Sequence, residues 1–110
     1  MKLSVIIVSY NVKYYIDQCL RSVLKAIDMV DVERKGNQVE IIVVDNHSTD
    51  GSVEYLEKRY PKNLYPMLKI VSSVHNLGFA RANNIAIRQS KGAYVLLLNP
   101  DTIVGEHVLE

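Results

Sequence analysis

A single cysteine, Cys19, leaves this 110-residue chain without an internal disulfide. No apolar stretch approaches the roughly 20 residues of a membrane span. Nothing reads as a signal peptide. Only about six mostly apolar residues follow Met1-Lys2 before Ser9-Tyr10-Asn11, and no small-residue cleavage site comes after them. Excess charge is also missing: 13 basic residues face 12 acidic ones, so no nucleic-acid footprint is expected. Two glycine-rich signatures are absent. Ser9-Tyr10-Asn11, which follows the first apolar run, contains no glycine, so the G-x-G-x-x-G fingerprint of nicotinamide and flavin sites is excluded there. The G-x-x-x-x-G-K-[ST] phosphate loop does not occur. There is no repeat, low-complexity segment or linker. The expected location is the cytoplasm, including a peripheral position at the inner face of the membrane.

What the chain does have is four apolar runs, near residues 3–8, 39–44, 68–74 and 93–98. They are rich in Val, Ile and Leu and do not alternate, as strands buried on both faces of a parallel sheet read. Helical patterns lie between them. Ile16, Cys19, Leu20, Val23, Leu24 and Ile27 form an apolar stripe. A short helix is expected from Ser52 to Arg59, ending before Pro61. A third runs from about Phe79 to Gln89 and ends at Lys91-Gly92, with Gly92 as its C-cap. The βαβαβαβ order predicts an α/β fold: a Rossmann-like three-layer sandwich on one parallel sheet. The length fits one domain burying roughly 65% of its unfolded surface. The fourth apolar run lies close to residue 110, and a strand of that kind expects neighbours on both sides. We therefore expect a fragment of a larger catalytic domain, able to form a homodimer through its fourth-strand edge.

Three of the runs end in polar clusters. Val5-Ile6-Ile7-Val8 leads into Ser9-Tyr10-Asn11, Ile41-Ile42-Val43-Val44 into Asp45-Asn46-His47-Ser48, and Leu96-Leu97-Leu98 into Asn99-Pro100-Asp101-Thr102. The carboxyl ends of parallel strands are where open α/β sheets bind ligands, so one shared pocket is expected. Asp101 reads equally as a turn residue capping a following helix and as a ligand for Mg²⁺ or Mn²⁺, alongside the Asn99 carbonyl and a substrate diphosphate. Asp45 reads as a ribose acceptor or as part of a loop in which Ser48, Thr49 or Asp50 caps the second helix; a ligand role is favoured. Tyr10 could stack on a base. Gly78 permits close backbone approach, and Asn76 could cap. Asn83 and Asn84 are poor helix formers at mid-helix and suit a polar site or a buried hydrogen-bond network. His47, His75 and His107 lack metal-ligand spacing and read as loop residues, Cys19 as core, and Tyr14 and Tyr15 as packing and surface.

Four segments in order carry a family resemblance: Ser4-Val5-Ile6-Ile7-Val8-Ser9-Tyr10-Asn11, Val43-Val44-Asp45-Asn46-His47-Ser48-Thr49-Asp50-Gly51-Ser52, Asn76-Leu77-Gly78-Phe79-Ala80 through Asn84, and Leu98-Asn99-Pro100-Asp101. Together they resemble the inverting glycosyltransferases of family 2, with the GT-A fold, over nearly all of the chain. The resemblance implies strand order 3-2-1-4. It also implies that residues 1–110 are the nucleotide-sugar (donor) half of the domain, ending before the acceptor half. Ser9, Tyr10, Asn11, Asp45, Asn46, Gly78, Arg81, Asn83, Asn84 and Asn99 would then bind the nucleotide-sugar. Asp101 would hold a divalent metal, Mg or Mn, bound weakly without donor because one carboxylate makes a weak site, and Asn99 replaces the first Asp of the family's D-x-D element. The general base would lie beyond residue 110. The implied reaction is inverting hexosyl or deoxyhexosyl transfer to a glycan or lipid-linked acceptor. The rivals are a nucleotidyltransferase-like domain and a non-catalytic nucleotide-binding α/β module.

Overall fold

The computed structural model describes residues 3–34, 39–73 and 78–100. Strands and helices alternate: β1 (Leu3–Ser9), α1 (Lys13–Arg34), β2 (Val39–Asp45), α2 (Ser52–Arg59), β3 (Leu68–Ser72), α3 (Phe79–Gln89) and β4 (Tyr94–Leu98). The strands form one sheet in the order β3-β2-β1-β4. Every pairing in it is parallel. This is the expected α/β arrangement and strand order.

Strand side chains alternate between faces, and the core divides accordingly. Val5, Ile7, Ile41 and Val43 pack on one face against Ile16, Cys19, Leu20, Val23 and Ile27 of α1 and Leu56 of α2. Ile6, Val8, Ile42 and Val44 face the other way, onto Ala82 and Ala86 of α3. The apolar stripe of α1 and the small i, i+4 pair of α3 each turn toward the sheet because water is excluded only there.

Burial on both faces holds for the inner strands and fails for the outer ones. β1 and β2 are buried almost throughout. In β4, Tyr94, Val95 and Leu97 are exposed, and in β3 only Leu68 is fully buried. The expectation of four doubly covered strands is therefore corrected. α3 lies over the inner strands, and apolar composition does not reveal an edge position.

Gly92 is not the cap of α3. That helix closes at Ser90, whose amide and hydroxyl both donate to the Ile87 carbonyl. Gly92 instead lets the chain pass close to β1. A Cβ at Gly92 would lie 2.6 Å from the Ser4 amide nitrogen and 2.8 Å from the Leu3 carbonyl carbon. The approach is fixed by the Gly92 amide donating to Ser4 Oγ at 2.9 Å, while Ser4 Oγ and the Lys91 amide both donate to Glu40.

Candidate functional site

Parallel pairing aligns the carboxyl ends of the strands. Ser9 ends β1 opposite Asp45, which ends β2, and Asp45 lies opposite Ser72 at the end of β3. The β1–α1 and β2–α2 loops thus leave the sheet side by side. Asn11 and His47 hold positive φ, 51° and 68°. Asn reaches that left-handed region at lower cost than most residues.

A set of hydrogen bonds laces the two loops together. The Asn46 amide donates to the Ser9 carbonyl at 2.8 Å. The Asn11 amide donates to Ser48 Oγ at 2.9 Å, and Asn11 Oδ1 accepts from the Thr49 amide at 2.7 Å. Ser48 in turn donates twice to Asp45, from its hydroxyl at 2.6 Å and its amide at 2.9 Å. Asp45 is 3% exposed, and its carboxylate holds its own loop in place. Two donors use about half of the four acceptor positions of a carboxylate.

Asp50 braces two helices. Its Oδ2 accepts from the amide of Lys13, the first residue of α1, at 3.1 Å. Its Oδ1 accepts from the amide of Ser52, the first residue of α2, at 3.0 Å, and also from the Ser52 hydroxyl. Orphan amides at both helix starts are satisfied by one side chain. Gly51, at φ 77°, occupies the N-cap position itself. Burial raises the Asp50 pKa, but the bonds from Ser52 and Lys13 outweigh it, so the carboxyl sits below its ordinary value of 3.8. Asp50 entered the sequence reading as one of three possible caps. Its reach across 37 residues to α1 had no local signal.

The remaining candidates separate by exposure. Tyr10 is 47% exposed, beside the exposed Asn11. Ser9 is fully buried, and its Oγ has no hydrogen-bond partner among the described residues. Asn46 is buried as well. On α3, Gly78 precedes the first turn at φ 80°, and a Cβ there would meet nothing within 4 Å, so its glycine answers backbone conformation and not crowding. Asn83 is buried, whereas Arg81 and Asn84 are exposed. Successive helical residues point about 100° apart, and an i, i+3 pair shares a face. Asn83 and Asn84 therefore point different ways, while Arg81 and Asn84 share an exposed face. Asn99 follows β4 and is exposed, with its carbonyl oxygen 3.8 Å from Cys19 Sγ as a weak thiol acceptor. That contact places the carbonyl on the α1 side of the strand end.

Asp101, Asn76, His75 and His107 lie outside the described residues. Among the described residues, no group of three or more His, Cys, Asp or Glu side chains could hold a metal ion. Asp45 and Asp50, the carboxylates of the two laced loops, are both engaged by amides and hydroxyls. The described part of this edge does not fit a metal site by itself. No described helix is long and apolar enough to cross a membrane.

Residues 4–110 match the profile described as "Glycosyl transferase family 2". The chain is 33% identical over 109 residues to a poly(ribitol-phosphate) beta-glucosyltransferase of Bacillus spizizenii, an alignment spanning 99% of this chain and 16% of that protein. It is 32% identical over 111 residues to the poly(ribitol-phosphate) beta-N-acetylglucosaminyltransferase TarS of Staphylococcus aureus, spanning all of this chain and 18% of TarS. The crystal structure of S. aureus TarS superposes with a TM-score of 0.79 at 30% identity, covering 99% of this chain and 18% of that one. The mannosyltransferase PcManGT of Pyrobaculum calidifontis, solved with GDP-Man and Mn²⁺, superposes with a TM-score of 0.78 at 25% identity, over 91% of this chain and 27% of its own. The chain thus spans between 16% and 27% of the length of these proteins.

Proposed function

The chain belongs to glycosyl transferase family 2, and on that premise we propose that residues 1–110 are the donor-binding half of an inverting glycosyltransferase. The nucleotide-sugar sits on the carboxyl edge of the sheet. The half-exposed Tyr10 stacks on the base. Asp45 accepts from the ribose with the acceptor positions that Ser48 leaves open. Asn46, Gly78, Arg81, Asn84 and Asn99 surround the diphosphate and sugar, and Asn83 and Ser9 support them from inside. The observation that carries this reading is the lacing of the two loops through Asn11, Ser48 and Asp45, which holds one polar surface rigid where an open α/β sheet receives ligands.

The reaction is a single displacement. A base outside residues 1–110 takes the acceptor hydroxyl proton, and the oxygen attacks the anomeric carbon opposite the leaving nucleotide. A divalent cation on Asp101, Mg or Mn, would neutralise charge on the diphosphate. The Mn²⁺ in the PcManGT complex supports a divalent metal. The acceptor is a glycan or a lipid-linked molecule, and the names of the two poly(ribitol-phosphate) transferases support a role in polysaccharide biosynthesis. The enzyme works in the cytoplasm, including the inner face of the membrane.

The test is titration of the full-length protein with UDP-, GDP- and dTDP-sugars, with and without Mn²⁺, followed by assay of sugar transfer. Saturable binding to one donor, transfer with inversion, and loss of transfer but not of fold in Asp101→Ala are expected. Binding followed by nucleotidyl transfer, or by no reaction, would favour the rival classes. The 110-residue chain alone should transfer nothing.

A further inference from the structure

The α1–α2 face carries a cationic trough that donor binding does not use. Two grooves meet at Tyr60. One, of about 530 Å³, is flanked by Arg21, Lys25 and Arg59 and floored by Tyr60 and Tyr65. The other, of about 410 Å³, continues past Tyr60 between Lys62 and Lys69, with Glu57 at its rim. All five cations are exposed. The whole chain carries a formal net charge of only +1. Set against Glu57 and the buried Asp17 that pairs with Arg59, five cations still leave the trough locally positive, and Lys62 Nζ also donates to the Leu68 carbonyl at 3.4 Å.

The floor is held rigid from beneath. Asp17, 5% exposed, accepts from Tyr60 Oη at 2.5 Å and Tyr55 Oη at 3.0 Å, and pairs with Arg59 Nε at 2.9 Å. The Tyr60 and Tyr65 rings meet edge to face, 5.1 Å between centroids. Asp17 takes the inner edge of the Arg59 guanidinium, and the planar fork retains further donors. Burial first, then the bond to Asp17, raises the Tyr60 pKa, so its hydroxyl keeps its proton.

Position excludes the donor edge. The Tyr60–Tyr65 connection joins the end of α2 to the start of β3, at the amino edge of the sheet. Arg21 and Lys25 lie on α1 about 12 and 18 Å beyond Lys13, which starts that helix beside the laced loops. An occupant that follows both grooves, from Arg21 past Tyr60 to Lys69, is extended and meets cations along its length. The trough is concave with cations on both flanks, which suits a chain better than a flat bilayer. Tyr60 is 6% exposed and offers no ring face for stacking nucleobases.

We propose that this trough binds an anionic glycopolymer of phosphodiester-linked units and holds it at a distance from the transfer site. Naming the polymer as acceptor rests on the glycosyltransferase reading above; the binding itself does not.

The experiment is calorimetric titration of the full-length protein with deacylated poly(glycerol phosphate), at about 50 and about 300 mM salt, where charge screening differs strongly. Wild type should bind, and more weakly at the higher salt. Arg21→Glu/Lys69→Glu should lose at least about tenfold in affinity at the lower salt, with nucleotide-sugar affinity unchanged. Lys25→Glu/Lys62→Glu repeats the test should the first pair not fold. No polymer binding by wild type, or undiminished binding by a folded variant, overturns the proposal. So does tighter binding to poly(U) or to phosphatidylglycerol vesicles. A protein that binds the polymer but no nucleotide-sugar would sink the donor reading and leave the trough standing.

Discussion

β1 and β4 are paired neighbours of similar apolar composition and opposite surroundings. Val5, Ile6 and Ile7 are fully buried, while Val95 and Leu97 are 41% and 48% exposed. Ile6 and Leu97 are register partners, yet Ile6 packs beneath α3 and Leu97 lies open beside it. The difference lies in position and not in residue type. β1 sits between β2 and β4, and α3 covers the inner strands through Ala82 and Ala86. The inner strands hold the fold, and the same two strands end in the loops that form the candidate site.

The sharpest way to break this comparison is to truncate both register partners. Ile6→Ala should destabilise by about 2–5 kcal/mol, as large-to-small changes in a filled core do. Leu97→Ala should cost about 1 kcal/mol or less, because most of that surface already meets water. Denaturant unfolding of both variants measures the gap, and equal losses would mean that β4 is covered as fully as β1. Next in size is Gly92→Ala, which drives a methyl group against the Ser4 and Leu3 backbone where β4 joins β1. Since backbone atoms cannot rotate away, about 1–3 kcal/mol should be lost; a neutral result would show that β4 slides freely along β1.

Asn11→Ala probes the loop end of the inner strands. It removes the acceptor of the Thr49 amide and places alanine at positive φ. The expected cost is about 1–2 kcal/mol in unfolding, with hydrogen exchange rising at Thr49. Asp50 adds a pH dependence. Its folded pKa lies below its ordinary value of 3.8, so its contribution is present above that value and fades as pH falls through the lower folded pKa. Asp50→Asn should therefore lose less stability than wild type between about pH 5 and about pH 3. The smallest effect belongs to the open strand. Pairing of two copies through β4 should appear in light scattering at high micromolar concentration, and a monomer there would leave that edge unpaired in solution.

Much of the fold was legible in the sequence because periodicity and composition are local. α2 and α3 fall at Ser52–Arg59 and Phe79–Gln89, where helical spacing and the flanking Pro61 set them. The strand order follows from the same pattern together with the family resemblance. Edge exposure was not legible, since Tyr94-Val95-Leu96-Leu97-Leu98 reads as apolar as Val5-Ile6-Ile7-Val8. The polar segments of the site were visible as strand-end clusters. Their mutual bonds were not, because Asn11 meets Ser48 and Thr49 only after β1 and β2 pair in register. The split of Asn83 from Asn84 was available from helical geometry alone, whereas the tight passage of Gly92 over Ser4 needs three dimensions.

Backbone amide shifts, mapped while the protein is titrated with UDP-, GDP- and dTDP-sugars in the presence of diamagnetic Mg²⁺, test the donor assignment most directly. Shifts are expected at Ser9–Asn11, Asp45–Ser48, Arg81–Asn84 and Asn99, with the Arg21–Lys25 and Tyr60–Lys69 segments silent. Saturable shifts centred on Tyr60 and Lys69, with the strand-end loops unmoved, would contradict that assignment.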